Sequence, residues 1–134
     1  MGSLDDLKIL DFSTLLPGPY ATLMLADMGA EVLKISSASR PDIVLDYPPF
    51  IGDTGVSASQ AWLGRNKKTM FLNLKTGEGK AVVKELVKEY DIVLEQFRPG
   101  VMEKLGLGYE DLKAVNPKLI YCSLTGYGQT GPLR

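Results

Sequence analysis

Apolar and polar positions along the chain change period several times, and each change marks an element. Leu7 to Phe12 is an apolar run interrupted by Lys8 and Asp11, the pattern of a buried strand. Ser13 to Gly18 reads as a turn, and Pro19 opens a helix that runs through Met28 and stops at Gly29. Ala21, Leu23, Met24, Leu25, Ala26 and Met28 make that helix apolar on nearly every side, so it is expected to be covered all round. Glu31 to Ile35 is the next strand, and Met70 to Leu74, which alternates weakly, is a short strand or extended segment. Thr76 is placed to N-cap a helix in which Val82, Val83, Leu86, Val87 and Tyr90 form one stripe, with Lys80, Lys84, Glu85 and Lys88 largely outside it. Asp91 to Glu95 is a strand, Pro99 to Leu105 and Tyr109 to Val115 are short helices, and Pro117 stops the second. Leu119 to Leu124 is a final strand. Like Ile92 to Leu94 it is a continuous apolar run, as in strands buried on both faces.

This alternation predicts an α/β fold, a Rossmann-like parallel sheet with helices on both faces, formed by residues 1–134 as one domain or part of one. Residues 36–68 are the exception: rich in Ser, Pro, Gly and Asp, they show little periodicity, and so long a loop in a compact domain is usually functional or mobile, or covered by other chain.

Composition narrows the chemistry. Hydrophobic residues at 45% and charged residues at 23% describe an ordinary globular protein, and a net charge of -1 predicts neither a nucleic-acid nor an acidic-membrane partner. No apolar run approaches the roughly 18 residues of a membrane span, and the N-terminus lacks a signal peptide's basic region and apolar core, so a cytoplasmic protein is expected. The one cysteine, Cys122, lies in an apolar run, so no disulfide framework and no metal site is expected. The chain has no histidine, which excludes a histidine general base, a Ser-His-Asp triad and a His-ligated zinc within it.

The segment Leu94 to Gly106 carries the most specific signal. Arg98 falls in a strand-to-helix loop at the carboxyl end of a parallel strand, where open α/β sheets place their ligands. A guanidinium there suits a phosphate or carboxylate, held by two parallel hydrogen bonds; the competing reading is a surface ion pair with Glu95 or Glu103. Gly77-Glu78-Gly79-Lys80 lacks the spacing of a phosphate loop and reads as a helix start. Gly126, Gly128 and Gly131 follow a strand end and either admit a ligand to the backbone or form a plain turn. The cluster Arg65-Asn66-Lys67-Lys68 is a solvated face or an anion-attracting patch beside a cleft.

Five ordered blocks match a known family. They are Leu10-Asp11-Phe12-Ser13 with Leu16-Pro17-Gly18-Pro19; Leu25 to Val32 with Lys34; Arg65 to Lys68 with Leu72-Asn73-Leu74-Lys75; Glu95 to Gly108; and Asn116-Pro117 through Gly131-Pro132. In these blocks the chain resembles the family III CoA-transferases, the group that also contains the α-methylacyl-CoA racemases. The resemblance implies that these residues are the N-terminal part of a Rossmann-like large domain, with coenzyme A entering as acyl-CoA substrate and two subunits interlocked as a homodimer. By position it carries CoA contacts onto Leu16 and Pro17, onto Leu72, Asn73, Leu74 and Lys75, onto Gln96, Phe97 and Arg98, and onto Lys104, where some members have Arg. Lys67, within the Arg65 to Lys68 cluster, is expected to face CoA phosphates as well. The family often has Glu-Arg just after the second strand; this chain reads Ser36-Ser37, and Arg40 is the nearest cation.

The resemblance puts the catalytic groups beyond the Gly-x-x-Gly-Pro segment, so no residue here is expected to be catalytic. In the transferases an Asp carboxylate attacks the thioester and forms a mixed anhydride. In the racemases a His-Asp motif and a second acidic residue move the α-proton through an enolate. The expected function is the CoA-binding portion of a racemase-like acyl-CoA enzyme, on the strength of Leu15 to Pro19, Pro48-Pro49 and Arg98 to Leu105. The alternatives are a CoA-transferase moving CoA between carboxylic acids, and a non-catalytic CoA-binding or assembly module.

Overall fold

The computed structural model describes residues 2–134. Its strands are β1 (Lys8–Asp11), β2 (Glu31–Ser36), β3 (Lys67–Phe71), β4 (Ile92–Glu95) and β5 (Ile120–Ser123). Its helices are α1 (Pro17–Asp27), α2 (Ala58–Gly64), α3 (Gly77–Val87), α4 (Val101–Leu105) and α5 (Tyr109–Lys113), with a 3-10 turn at Ile43–Asp46. All neighbouring strands are parallel, in the order β3-β2-β1-β4-β5. The chain therefore winds outward from β1 to β3, then returns to the other side of β1 as β4. The loops after β1 and β4 part in opposite directions and leave a crevice between them at the carboxyl ends of the strands.

Strand periodicity sorts the core into two layers. Leu10, Phe12, Leu33, Ile35 and Val93 point to one face and pack with Val83 and Val87 of α3, Met102 of α4 and Leu112 of α5. Ile9 and Val32 point to the other face and pack with Ala26 of α1 and Ala30. The two-sided parallel sheet is thus as the pattern predicts. No helix among the described residues is long and apolar enough to cross a membrane.

Several local expectations are corrected. α1 begins at Pro17 rather than Pro19, because two prolines in its first turn need no donor of their own there. It is also not covered all round: Leu16, Tyr20, Met24 and Met28, spaced by four, form an apolar stripe between 41% and 51% exposed. β5 is covered on one face only, leaving Ile120 and Cys122 open to solvent. Val82 lies outside the buried stripe of α3, which comprises Gly79, Val83 and Val87. α4 starts at Val101, and Pro99 belongs instead to the turn that Val101 N–H closes onto Arg98 O at 3.1 Å. Within residues 36–68 the aperiodic stretch contains α2, capped by Ser57, and the start of β3.

Candidate functional site

The crevice between the β1 and β4 loops is an open cleft of about 480 Å3 lined by Pro17, Gln96 to Pro99, Leu124 to Gly128, Leu133 and Arg134. Its lining is apolar apart from two guanidinium groups and a few amide and hydroxyl groups, and it holds no carboxylate side chain. Gln96 ties its walls together. The side-chain oxygen accepts from Gly18 N–H at 2.9 Å, and the side-chain nitrogen donates to Thr14 O at 2.7 Å. This bridge also settles the first turn of α1. Pro17 and Pro19 have no N–H, Gly18 N–H goes to Gln96, and Tyr20 N–H goes to Leu16 O. The helix start therefore presents no free amide to an anion, unlike a dinucleotide-binding loop.

Arg98 is a cation on the cleft wall and makes no ion pair among the described residues. The ion pairs with Glu95 or Glu103 do not form. Glu95 is buried and turned inward, accepting from Phe97 N–H at 2.8 Å and from the Ser123 hydroxyl. It thereby anchors the loop that presents Arg98 to the end of β5. Thr125 Oγ1, in the same lining, is buried without a hydrogen-bond partner.

Of the sequence-assigned contacts, Pro17, Gln96, Phe97 and Arg98 meet in this cleft, with Leu16 exposed immediately before Pro17. Leu72 to Lys75 follow β3 at the same end of the sheet but two strands away from β1. Leu72 and Leu74 pack on the core, while Asn73 and Lys75 are exposed or nearly so. Lys104 is exposed on α4 and does not line the cleft. Arg40, in the turn after β2, is exposed and unpaired among the described residues.

The basic cluster does not turn its charges to the cleft. Arg65 binds Asp27 at the C-terminal end of α1, and Lys68 lies 3.6 Å from Glu31 at the start of β2, both at the amino end of the sheet. The Arg65 pair holds the Asp27 carboxyl below its usual range, with the Arg65 hydrogen bond as the largest cause. The Lys67 side chain is only 1% exposed. Its ammonium donates to Pro19 O at 2.7 Å and Thr22 Oγ1 at 2.8 Å, and lies 3.8 Å from Asp11. Burial lowers the Lys67 pKa to about 8, against the opposing pull of Asp11. The reason is local: Asp11 is a fully buried carboxylate that already accepts from Ser13 N–H, the Ser13 hydroxyl and the Thr22 hydroxyl, and it needs a nearby cation.

A second polar cluster sits beside it. Asp42 caps the 3-10 turn and accepts from Leu15 N–H through both carboxylate oxygens, at 3.1 and 3.0 Å. Lys34 pairs with Asp42 at 3.2 Å and donates to Ser13 O at 3.1 Å. Leu15 itself has φ of 61°, a left-handed conformation that costs a non-glycine residue about 1–2 kcal/mol. Apart from Lys67, neither cluster figures among the residues assigned from sequence. The legible signal was Asp11 interrupting an apolar strand, since a buried charge implies partners.

The fold and site together define an α/β domain with a parallel sheet and a cationic, apolar-walled crevice at its switch point, the place where open α/β sheets hold their ligands. Comparison with known proteins gives the class. Residues 4–134 match the model of CoA-transferase family III, and the chain belongs to that family. It is 42% identical over 132 residues to acetyl-CoA:oxalate CoA-transferase of Acetobacter aceti, covering 98% of this chain and 33% of that protein. It is 43% identical over 131 residues to succinyl-CoA:glutarate CoA-transferase of Homo sapiens, covering 97% of this chain and 30% of that protein. Among solved structures, a CAIB/BAIF family protein from Brucella suis matches with a TM-score of 0.90 and 41% identity, over 98% of this chain and 35% of that one. The chain thus spans about a third of the length of the curated relatives it matches. No group of three or more His, Cys, Asp or Glu able to hold a metal occurs among the described residues.

Proposed function

We propose that this chain supplies the CoA-binding portion of an enzyme that moves CoA between carboxylic acids. The names of its relatives favour transfer over the α-methylacyl-CoA racemase reading that the sequence blocks put first. The net reaction exchanges a thioester for a carboxylate: the donor acyl carbon loses its C–S bond and gains a C–O bond, while the acceptor carboxylate carbon loses a C–O bond and gains the C–S bond to CoA.

The observation that carries the reading is Arg98, unpaired on a cleft whose walls are Pro17, Phe97 and the Gly126-Tyr127-Gly128 backbone. Its fork grips a CoA phosphate through two parallel hydrogen bonds, and the apolar walls flank the pantetheine arm. Asn73, Lys75 and Arg40, on the loops after β3 and β2, extend the contact along the same end of the sheet. The exposed stripe of α1 supports a homodimer in which a second subunit covers it. The test is calorimetry with free CoA. Arg98→Ala weakens binding by about tenfold or more, the usual weight of a charge-assisted contact. Equal affinity for the variant and the parent would remove Arg98 from the site and the reading with it.

A further inference from the structure

Leu15 is out of place by its own chemistry. Leu15 and Asn66 are the non-glycine residues with positive φ among the described residues, and Asn tolerates that conformation where Leu does not. The Leu15 side chain is exposed, so no core contact explains why a residue that resists this backbone occupies it. What holds it is tertiary. Asp42, 27 residues further on, takes the Leu15 N–H with both carboxylate oxygens. The Asp42 side chain is 4% exposed, its charge is balanced by the similarly enclosed Lys34, and Lys34 also grips Ser13 O on the near side of the same loop. Strained backbone of this kind persists only where the surroundings over-determine it, and it gathers where geometry matters to a ligand. The residues that follow immediately are Leu16 and Pro17, and Pro17 lines the cleft.

We propose that Asp42 and Lys34 are positioning residues, a strap that locks Leu15 in its left-handed conformation and so sets where Leu16 and Pro17 meet CoA. The proposal rests on the CoA-binding reading above and adds two residues that touch no ligand themselves. The loop between β2 and α2 thereby gains a purpose, since it carries the carboxylate that tightens the loop between β1 and α1. Without that carboxylate, Leu15 relaxes to negative φ, the peptide before Leu16 turns, and the Pro17 wall moves off the crevice.

The test uses the full chain, free CoA and amide hydrogen exchange. Asp42→Ala should raise the CoA dissociation constant on the order of tenfold, the population shift that a left-handed penalty implies, and should expose the Leu15 amide to exchange. The same substitution made in a Leu15→Gly background should change it less than about threefold, because glycine needs no strap to stay left-handed. If Asp42→Ala does not fold, Asp42→Leu combined with Lys34→Met removes the acceptor without leaving a buried unpaired ammonium, and is read the same way. A purely structural role would lower the melting temperature and leave CoA affinity within about twofold while Leu15 exchanges freely, which overturns the proposal. Equal losses in both backgrounds overturn it too, since Asp42 would then act by another route. Wild-type chain that binds CoA, loses it in Arg98→Ala and keeps it in Asp42→Ala removes the strap alone. Wild-type chain that binds no CoA removes the site reading, and the strap's role with it.

Discussion

Gln96 reaches across the switch point to Gly18, its side-chain oxygen 2.9 Å from the Gly18 amide, and so joins the loop after β4 to the first turn of α1. The other end of the same amide holds Thr14 O. One side chain therefore sets the width of the cleft and satisfies the donor that would otherwise face it.

Gln96→Ala should destabilise the fold by about 1–3 kcal/mol, because Gly18 N–H and Thr14 O both lose their partner in a part-buried place. Chemical denaturation reads this as a lower midpoint with an unchanged slope. An unchanged midpoint would mean that water replaces the bridge without cost.

Gly18→Ala should cost a similar amount by a different route. A methyl group there would overlap the Ser13 side chain and stand 2.7 Å from Gln96 Oε1, crowding the bridge itself. Overpacking of this kind costs about 1–3 kcal/mol, and the melting temperature should fall accordingly. A variant as stable as the parent would show that Ser13 has room to yield.

Lys67 should leave a signature in alkaline solution. Its folded pKa, about 8, lies below its ordinary 10.5, so between those values the unfolded chain binds the proton that the folded chain has lost. Stability therefore rises with pH through that window, as the cost of burying the charge is relieved. Comparing the wild type with Lys67→Met isolates the effect: only the wild type gains stability between pH 8 and 10.5. Parallel curves would place the ammonium in solvent. Tyr90, pushed up to about 12 by burial and then by its hydrogen bond to Glu31, acts in the opposite sense only above pH 10, where the unfolded phenol ionises first.

The α1 stripe should make the chain self-associate. Leu16, Tyr20, Met24 and Met28 lie in one line, with Trp62 beside Tyr20 at 5.7 Å between ring centroids. Sedimentation at about 0.1 mM should show dimer or larger species, and Met24→Lys should return monomer. A monomeric wild type with little surface-dye binding would contradict this.

Some of this architecture is legible in the residues alone and some is not. β1, β2 and β4 declare themselves because both faces of each are buried and their apolar runs are unbroken or nearly so. The placement of Arg98 follows from that, since a strand end and a following Pro-Gly turn locate the loop. α2 escapes notice because it is short and buries little beyond Leu63, leaving no stripe to read. Lys67 misleads for a different reason. A lysine beside Arg65 and Lys68 looks solvated, and only Asp11, Pro19 and Thr22, 45 or more residues earlier in sequence, draw it inside. The Gln96 and Asp42 bridges are hydrogen bonds between distant loops, spanning 78 and 27 residues to Gly18 and Leu15, and no local pattern encodes such a pairing.

The most direct measurement of the central claim, that CoA binds at the strand ends between β1 and β4, is a map of amide chemical-shift changes on adding free CoA. The amides of Gly18, Phe97, Arg98, Gly126 and Gly128 should move in a saturable way, while those of Asp27, Arg65 and Lys68 at the opposite end of the sheet stay still. Changes centred on the Arg65 to Lys68 cluster with a silent Arg98 loop would contradict the account.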